Sequence, residues 1–228
     1  MIRLIADILF RSDAFFEKIV AEKEPGLKKP LFIVLAGAFC SAVFGYVYGG
    51  PSMRMISALM PAEMASLMGI IGIAGILITV LITTLLFWLV FAGVFYILSG
   101  FFKGTGSFRQ CLQITGYGVF PQIFGALISL IVALVYIPKV IVPQISQAAT
   151  QDPQMIQDTF KALMHDPAMM ELTQITSLIS IVFLLWSANI WIFGIKHARN
   201  LTPRDAALSV GIPVIAYVLY VTYNLGVM

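Results

Sequence analysis

Side chains able to coordinate a soft metal are the first feature with chemical content in this chain. Met60, Met64 and Met68 recur every four residues and so share one helical face, and His165 stands near the Met169–Met170 pair. Thioether and imidazole donors together suit Cu(I), which makes these six residues the candidates for a metal site. Nine of the 11 methionines lie in or beside the same two connections, however, and methionine readily fills gaps in amphipathic surface helices. Packing explains the whole set with fewer assumptions, so no metal or other cofactor is expected.

A second chemistry is hydrogen bonding by uncharged groups. The long apolar stretches contain no Asp, Glu, Lys, Arg or His, which argues against a proton-coupled pump, since charges inside spans mark such relays. Their polarity is mild: Thr79, Thr83 and Thr84, then Gln113, Thr115, Gln122 and Ser129, then Ser180, Ser187 and Asn189, and finally Asn224. Thr83, Gln122 and Asn189 define a candidate polar path, with plain interhelical hydrogen bonding as the simpler account. No GxSxG, HExxH, paired CxxC or phosphate-loop pattern occurs, and His165 and His197 are expected on opposite sides of a membrane. Catalysis is therefore not expected, and Cys40 and Cys111 read as packing residues.

The third feature is GYGVFPQIFG at 116–125, where Gly116, Gly118 and Pro121 interrupt an apolar run. In a soluble helix each Gly would cost about 1 kcal/mol and the Pro about 3. The stretch lacks the third glycine of a dinucleotide fingerprint and the Lys-Ser/Thr of a phosphate loop, so a bend fits better than a ligand loop. Pro121 brings no N–H and its ring disfavours the turn before it; the two glycines admit a neighbouring helix, and Gln122 or Thr115 could satisfy a freed carbonyl.

The elements that must position these groups follow from composition. With 60% hydrophobic and 11% charged residues and a mean hydropathy of +0.95, the chain has the composition of an integral membrane protein. A crossing needs about 20 apolar residues. Five runs qualify, at 30–50, 67–100, 112–138, 172–195 and 206–228, giving an all-α bundle of five spans at 30–228 behind an N-terminal segment at 1–29. Eleven Lys and Arg flank the spans on the N-terminal side against Arg54, Lys139 and Lys161 on the other, which places the N-terminus in the cytoplasm and the C-terminus outside. That asymmetry accounts for the net charge of +3, so nucleic acid is not a partner.

Segment 1–29 alternates apolar and charged residues at helical spacing, the pattern of short interfacial helices, with Ser12 as a possible cap of the second. In the first span Gly37, Ser41, Gly45 and Gly49 form a stripe of small residues that lets helices approach closely. Gly69, Gly72 and Gly75 could act alike in the second span. The outer loop at 139–171 holds Asp152-Pro153 and Asp166-Pro167, each reading as a helix start.

Three longer segments carry a resemblance: RSDAFFEKIVAEKEPGLKKP before the first span, GSFRQCLQITGYGVFPQIFGAL entering the third, and WSANIWIFGIKHARNLTPRDAALSVGIP joining the last two. Together they resemble the Yip domain family of Ypt-interacting-protein-like membrane proteins. The resemblance implies a five-span bundle with a cytosolic N-terminus, and eukaryotic members bind small GTPases and membrane-protein partners. Those members carry a longer N-terminal region with an acidic-leucine-tyrosine-glycine-proline motif; here about 29 residues stand in its place, and Tyr48-Gly49-Gly50-Pro51 falls on the outer side. GTPase binding is accordingly not expected. The chain is similar to compact prokaryotic members, which implies a multi-pass protein of a prokaryotic plasma membrane.

The reading that results is a non-enzymatic membrane protein that organises membrane or partner proteins, in contact with the lipid bilayer and with membrane-protein partners or further copies of itself. The alternative is a small transporter or channel for an ion or small solute, a metal included, along the Thr83–Gln122–Asn189 path. Broken helices do line transporter sites.

Overall fold

The computed structural model describes residues 2–21, 25–58, 62–143 and 153–227. Among them there are helices and turns and no strand. The order is α1 (Ile2–Phe10), α2 (Ser12–Val20), α3 (Lys28–Tyr48), α4 (Gly50–Ala58), α5 (Ala62–Phe101), α6 (Phe108–Gly118), α7 (Phe120–Tyr136), a single 3-10 turn (Ile137–Lys139), α8 (Pro153–Met164), α9 (Pro167–Ala198) and α10 (Pro203–Val227). Five helical stretches are long and apolar enough to cross a membrane: Lys28–Tyr48, Gly69–Phe101, Phe108–Lys139, Pro167–Ala198 and Pro203–Gly226.

Boundary chemistry explains why these helices begin where they do. Asp166 caps α9, its Oδ1 accepting from the Ala168 and Met169 N–H groups at 2.9 and 3.2 Å, and Pro167 follows in the first turn as its sequence suggests. Asp152 lies outside the described residues, though α8 does begin at Pro153. Ser107 and Gln110 form a reciprocal capping box at the start of α6, and Thr202 accepts from the Asp205 N–H at the start of α10. Ser12 is a correction. It opens α2 rather than capping it, and its hydroxyl donates to the Ile8 carbonyl at 2.6 Å, buried between α1 and α2.

Helix α3 packs on α5, α5 on α10, α10 on α9, α9 on α7, and α7 back on α3, closing a ring of five spans. Inside the ring, at the end carrying α1 and α2, sits α6, which touches α3, α5 and α9 and is buried at every residue from Gln113 to Gly118. This end is called basal and the opposite end distal. Basal packing joins Ile8, Phe15 and Phe16 of the N-terminal helices to Ile33, Ile114, Tyr117 and Ile190, and Asp13 of α2 accepts from Lys196 at 2.8 Å and bonds His197 at 2.6 Å. Arg199, 4% exposed, ties down the α5–α6 turn by donating to the Ser99 hydroxyl and to the Gly104 and Gly106 carbonyls, its guanidinium 4.3 Å from the Tyr96 ring centre. At the distal end α8 lies against α4 and α9, and Leu163 enters a core with Met55, Ala133, Val140, Met169 and Leu172.

The small-residue stripe of α3 divides between two neighbours. Gly37 faces Val119 and Ile123 at the α6–α7 junction, whereas Gly45 and Gly49 face Ile76 of α5. Among the described residues Gly72 is the α5 glycine that meets another element, the Met53 side chain of α4, and none of them comes within 4 Å of a Cβ placed on Gly69 or Gly75, so these residues show no second close-packed stripe.

Candidate functional site

The third span is two helices. α6 ends at Gly118 and α7 begins at Phe120 with Pro121 in its first turn, so the proline starts a new helix, the position where its missing N–H is tolerated. At the break the Val119 N–H reaches the Gly116 carbonyl at 3.4 Å, a tighter turn that leaves the Thr115 carbonyl without its usual helical donor. Trp191 of α9 supplies one, its indole Nε1 donating to Thr115 O at 2.9 Å. The two side chains expected to satisfy the carbonyl that Pro121 frees go elsewhere: the Thr115 hydroxyl turns back to Cys111 O at 2.6 Å, and the Gln122 side chain crosses to Ser187. Gly118 is what lets Trp191 in, because a Cβ there would collide with the indole. A Cβ on Gly116 would come within 2.7 Å of Pro30 and 3.1 Å of the Trp88 Nε1, which donates to Leu112 O at 2.8 Å.

Beyond the break the buried face of α7 is small: Pro121, Gly125, Ser129 and Ala133, four residues apart. Filling the ring centre with α6 in the basal half and turning this narrow face inward in the distal half leaves a chamber. It has two lobes, of about 360 and 190 Å³, that share Ser41 of α3, Gln122 of α7 and Ser180 of α9. Ser129, Thr176 and Ser177 line the larger. Thr83 and Thr84 of α5 and Tyr217 of α10 line the smaller, so all five spans contribute to its wall. Thr83 is itself exposed, and the smaller lobe opens at the bundle surface there.

Among the described residues the chamber wall is neutral. Hydroxyls and one carboxamide can exchange hydrogen bonds with a polar, uncharged group, and the Gln122 Nε2 already donates to Ser187 Oγ at 3.3 Å. On the basal side Val119, Leu184 and Phe87 lead into a packed aromatic layer. In it Trp191 lies 5.3 Å from Phe95 and 5.6 Å from Phe91, centre to centre. The chamber therefore ends on that layer.

The candidate path is only partly assembled. Thr83 and Gln122 meet in the smaller lobe, but Asn189 is exposed and does not line either lobe. Thr176 and Ser177 were not singled out from sequence; their signal was the Ser/Thr recurrence along 173–187 of α9, on the face that also carries Ser180. Among the metal candidates, Met60 and the Met68 side chain lie outside the described residues, and Met64 is exposed. Met169 is enclosed in the distal apolar core, Met170 is half-buried, and His165 is exposed with its Nδ1 2.7 Å from the Lys161 carbonyl. Among the described residues no three His, Cys, Asp or Glu side chains gather as a metal-binding group.

An all-helical ring with five apolar crossings defines a multi-pass membrane protein whose lateral surface meets lipid. The Yip1 domain model matches residues 6–224, and the chain belongs to that family. An uncharacterized protein of Methanocaldococcus jannaschii is 35% identical over 129 residues, covering 57% of this chain and 87% of the relative. No solved structure matches the chain.

Proposed function

We propose that this Yip1 family protein is a non-enzymatic organiser of membrane components, and that the chamber is its recognition site for a neutral hydrogen-bonding group presented within the bilayer. The observation that carries the reading is a chamber walled by all five spans in which the polar side chains, among the described residues, are hydroxyls and one carboxamide. In hydrocarbon such groups gain more from a polar ligand than from lipid tails, and the lateral opening at Thr83 gives a lipid-borne or helix-borne group a way in. The cytoplasmic N-terminus and the location in a prokaryotic plasma membrane belong to this proposal, supported by the charge asymmetry of the connections and by the archaeal relative.

A second reading, transport of a small uncharged solute, rests on the helix break beside the same chamber. The basal aromatic layer weighs against it as a continuous passage. Extraction in native-lipid discs, with Gln122→Leu/Ser180→Leu as control, separates the two. The organiser reading expects a specific lipid or membrane protein bound to the parent chain and reduced at least fivefold in the variant. A strictly monomeric protein with no specific companion removes its support, and polyol flux into proteoliposomes that Gln122→Leu abolishes would establish transport instead.

A further inference from the structure

A separate cavity of about 260 Å³ lies at the basal end, between the α2–α3 linker and the first turns of α6. Lys28, Lys29 and Arg109 stand around it, and Ile19 and Leu27 supply apolar wall. Among the described residues no carboxylate pairs with any of the three cations. Their placement is electrostatically unfavourable as it stands. Lys28 and Lys29 open α3 and Arg109 lies in the first turn of α6, so all three sit at the positive ends of helix dipoles, and neither first turn holds an acidic residue. An anion between the two helix starts would relieve both conflicts together.

Gln113 supplies an independent observation. It is 2% exposed, lines this cavity, and donates through Nε2 to the Gly26 carbonyl at 3.2 Å, while its Oε1 is buried without a hydrogen-bond partner. The amide orientation is fixed by chemistry: the Gly26 carbonyl can only accept, so the NH₂ must face it and Oε1 is left without a donor. A buried acceptor in that state is costly, and a hydroxyl beside it would satisfy it.

We infer that this cavity is a binding site for a phosphate monoester or diester bearing a hydroxylated substituent, the phosphate lying among Lys28, Lys29 and Arg109 and a hydroxyl donating to Gln113 Oε1. A phospholipid headgroup and a soluble phosphoester share this chemistry, and basic pockets between helices at the membrane surface do hold anionic headgroups.

Native mass spectrometry of the full chain, loaded with phosphatidylglycerol, phosphatidylmethanol or phosphatidylcholine of equal acyl length, tests the site. Phosphatidylmethanol has the same charge as phosphatidylglycerol and no hydroxyl to donate. One phosphatidylglycerol should be retained in preference to phosphatidylmethanol by roughly two- to tenfold, the worth of one hydrogen bond, and Gln113→Leu should erase that preference. The combined Lys28→Gln/Lys29→Gln/Arg109→Gln variant keeps Gln113 and should weaken both anionic lipids by about fivefold for each charge removed. Glycerol 3-phosphate identifies the source: displacement of the lipid at millimolar concentration assigns a soluble phosphoester, and no displacement assigns the headgroup. Equal retention of all three lipids by the parent chain overturns the inference. So does unchanged phosphatidylglycerol binding in the charge variant, with circular dichroism showing native helix content.

Discussion

Trp191 joins two jobs in one side chain. It fills the centre of the basal aromatic layer, fully buried, and it donates to the carbonyl of Thr115 that the tightened turn at Val119 leaves without a helical partner. Replacing it by Phe keeps most of the packing and removes the donor, so Trp191→Phe should cost about 1–3 kcal/mol in reversible unfolding in detergent. Gly118→Ala should cost at least as much by pushing the indole away, and its effect should shrink in a Trp191→Phe background because the two share one contact. Wild-type stability in Trp191→Phe would show that the bond contributes nothing. At this scale legibility was uneven. Gln122 is visible in the sequence as a lone carboxamide in an apolar run, but its partner Ser187 is 65 positions away and nothing local names it. Ser187 and Asn189 look alike in composition, yet two positions turn a helix by about 200°; Ser187 is buried and Asn189 faces outward.

The elements were more readable because apolar run length and boundary chemistry are local properties. Five runs marked five crossings, and Asp166-Pro167 marked the start of α9 by a mechanism the structure repeats. Pro121 marked the interruption of the third span, but whether a proline bends one helix or begins another depends on what satisfies the broken backbone. Here that is Trp191, from another span. Ser12 misled because a serine beside an acidic residue reads as a cap, whereas docking of α1 against α2 turned its hydroxyl backwards to Ile8. Docking of α2 on α9 carries a pH prediction. The Asp13 carboxyl is held below its ordinary 3.8 first by the hydrogen bond from Lys196 and then by that from His197. A depressed value means that the ionised form favours docking, so the contribution is complete above 3.8 and is lost as pH falls through the lower, docked-state value. Asp13→Asn should raise amide exchange over residues 12–20 at neutral pH. Acidification should alter the fluorescence of Trp186, whose ring lies 6.2 Å from Phe10 of α1. Identical exchange in the variant would mean that the apolar contacts of Phe15 and Phe16 hold α2 alone.

For the whole molecule, the ring of spans and the chamber arise together. One span is split, its basal half fills the centre, and its distal half shows the centre a face of Pro, Gly, Ser and Ala. The class of the fold was readable from hydropathy alone. The chamber was not, because it depends on which faces of α3, α5, α7, α9 and α10 meet, and apolar runs say little about rotation about their own axes. Mild polarity in every span is the trace it leaves in the sequence: Ser41, Thr83, Gln122, Ser180 and Tyr217 belong to five different helices and come together at one depth. The most direct test is a high-resolution structure of the full chain in lipid nanodiscs. A polar group held between Gln122 and Ser180, above an intact Trp191–Phe95 layer, is the predicted result; α9 packed directly on α3 with no space at Gln122 would contradict the account.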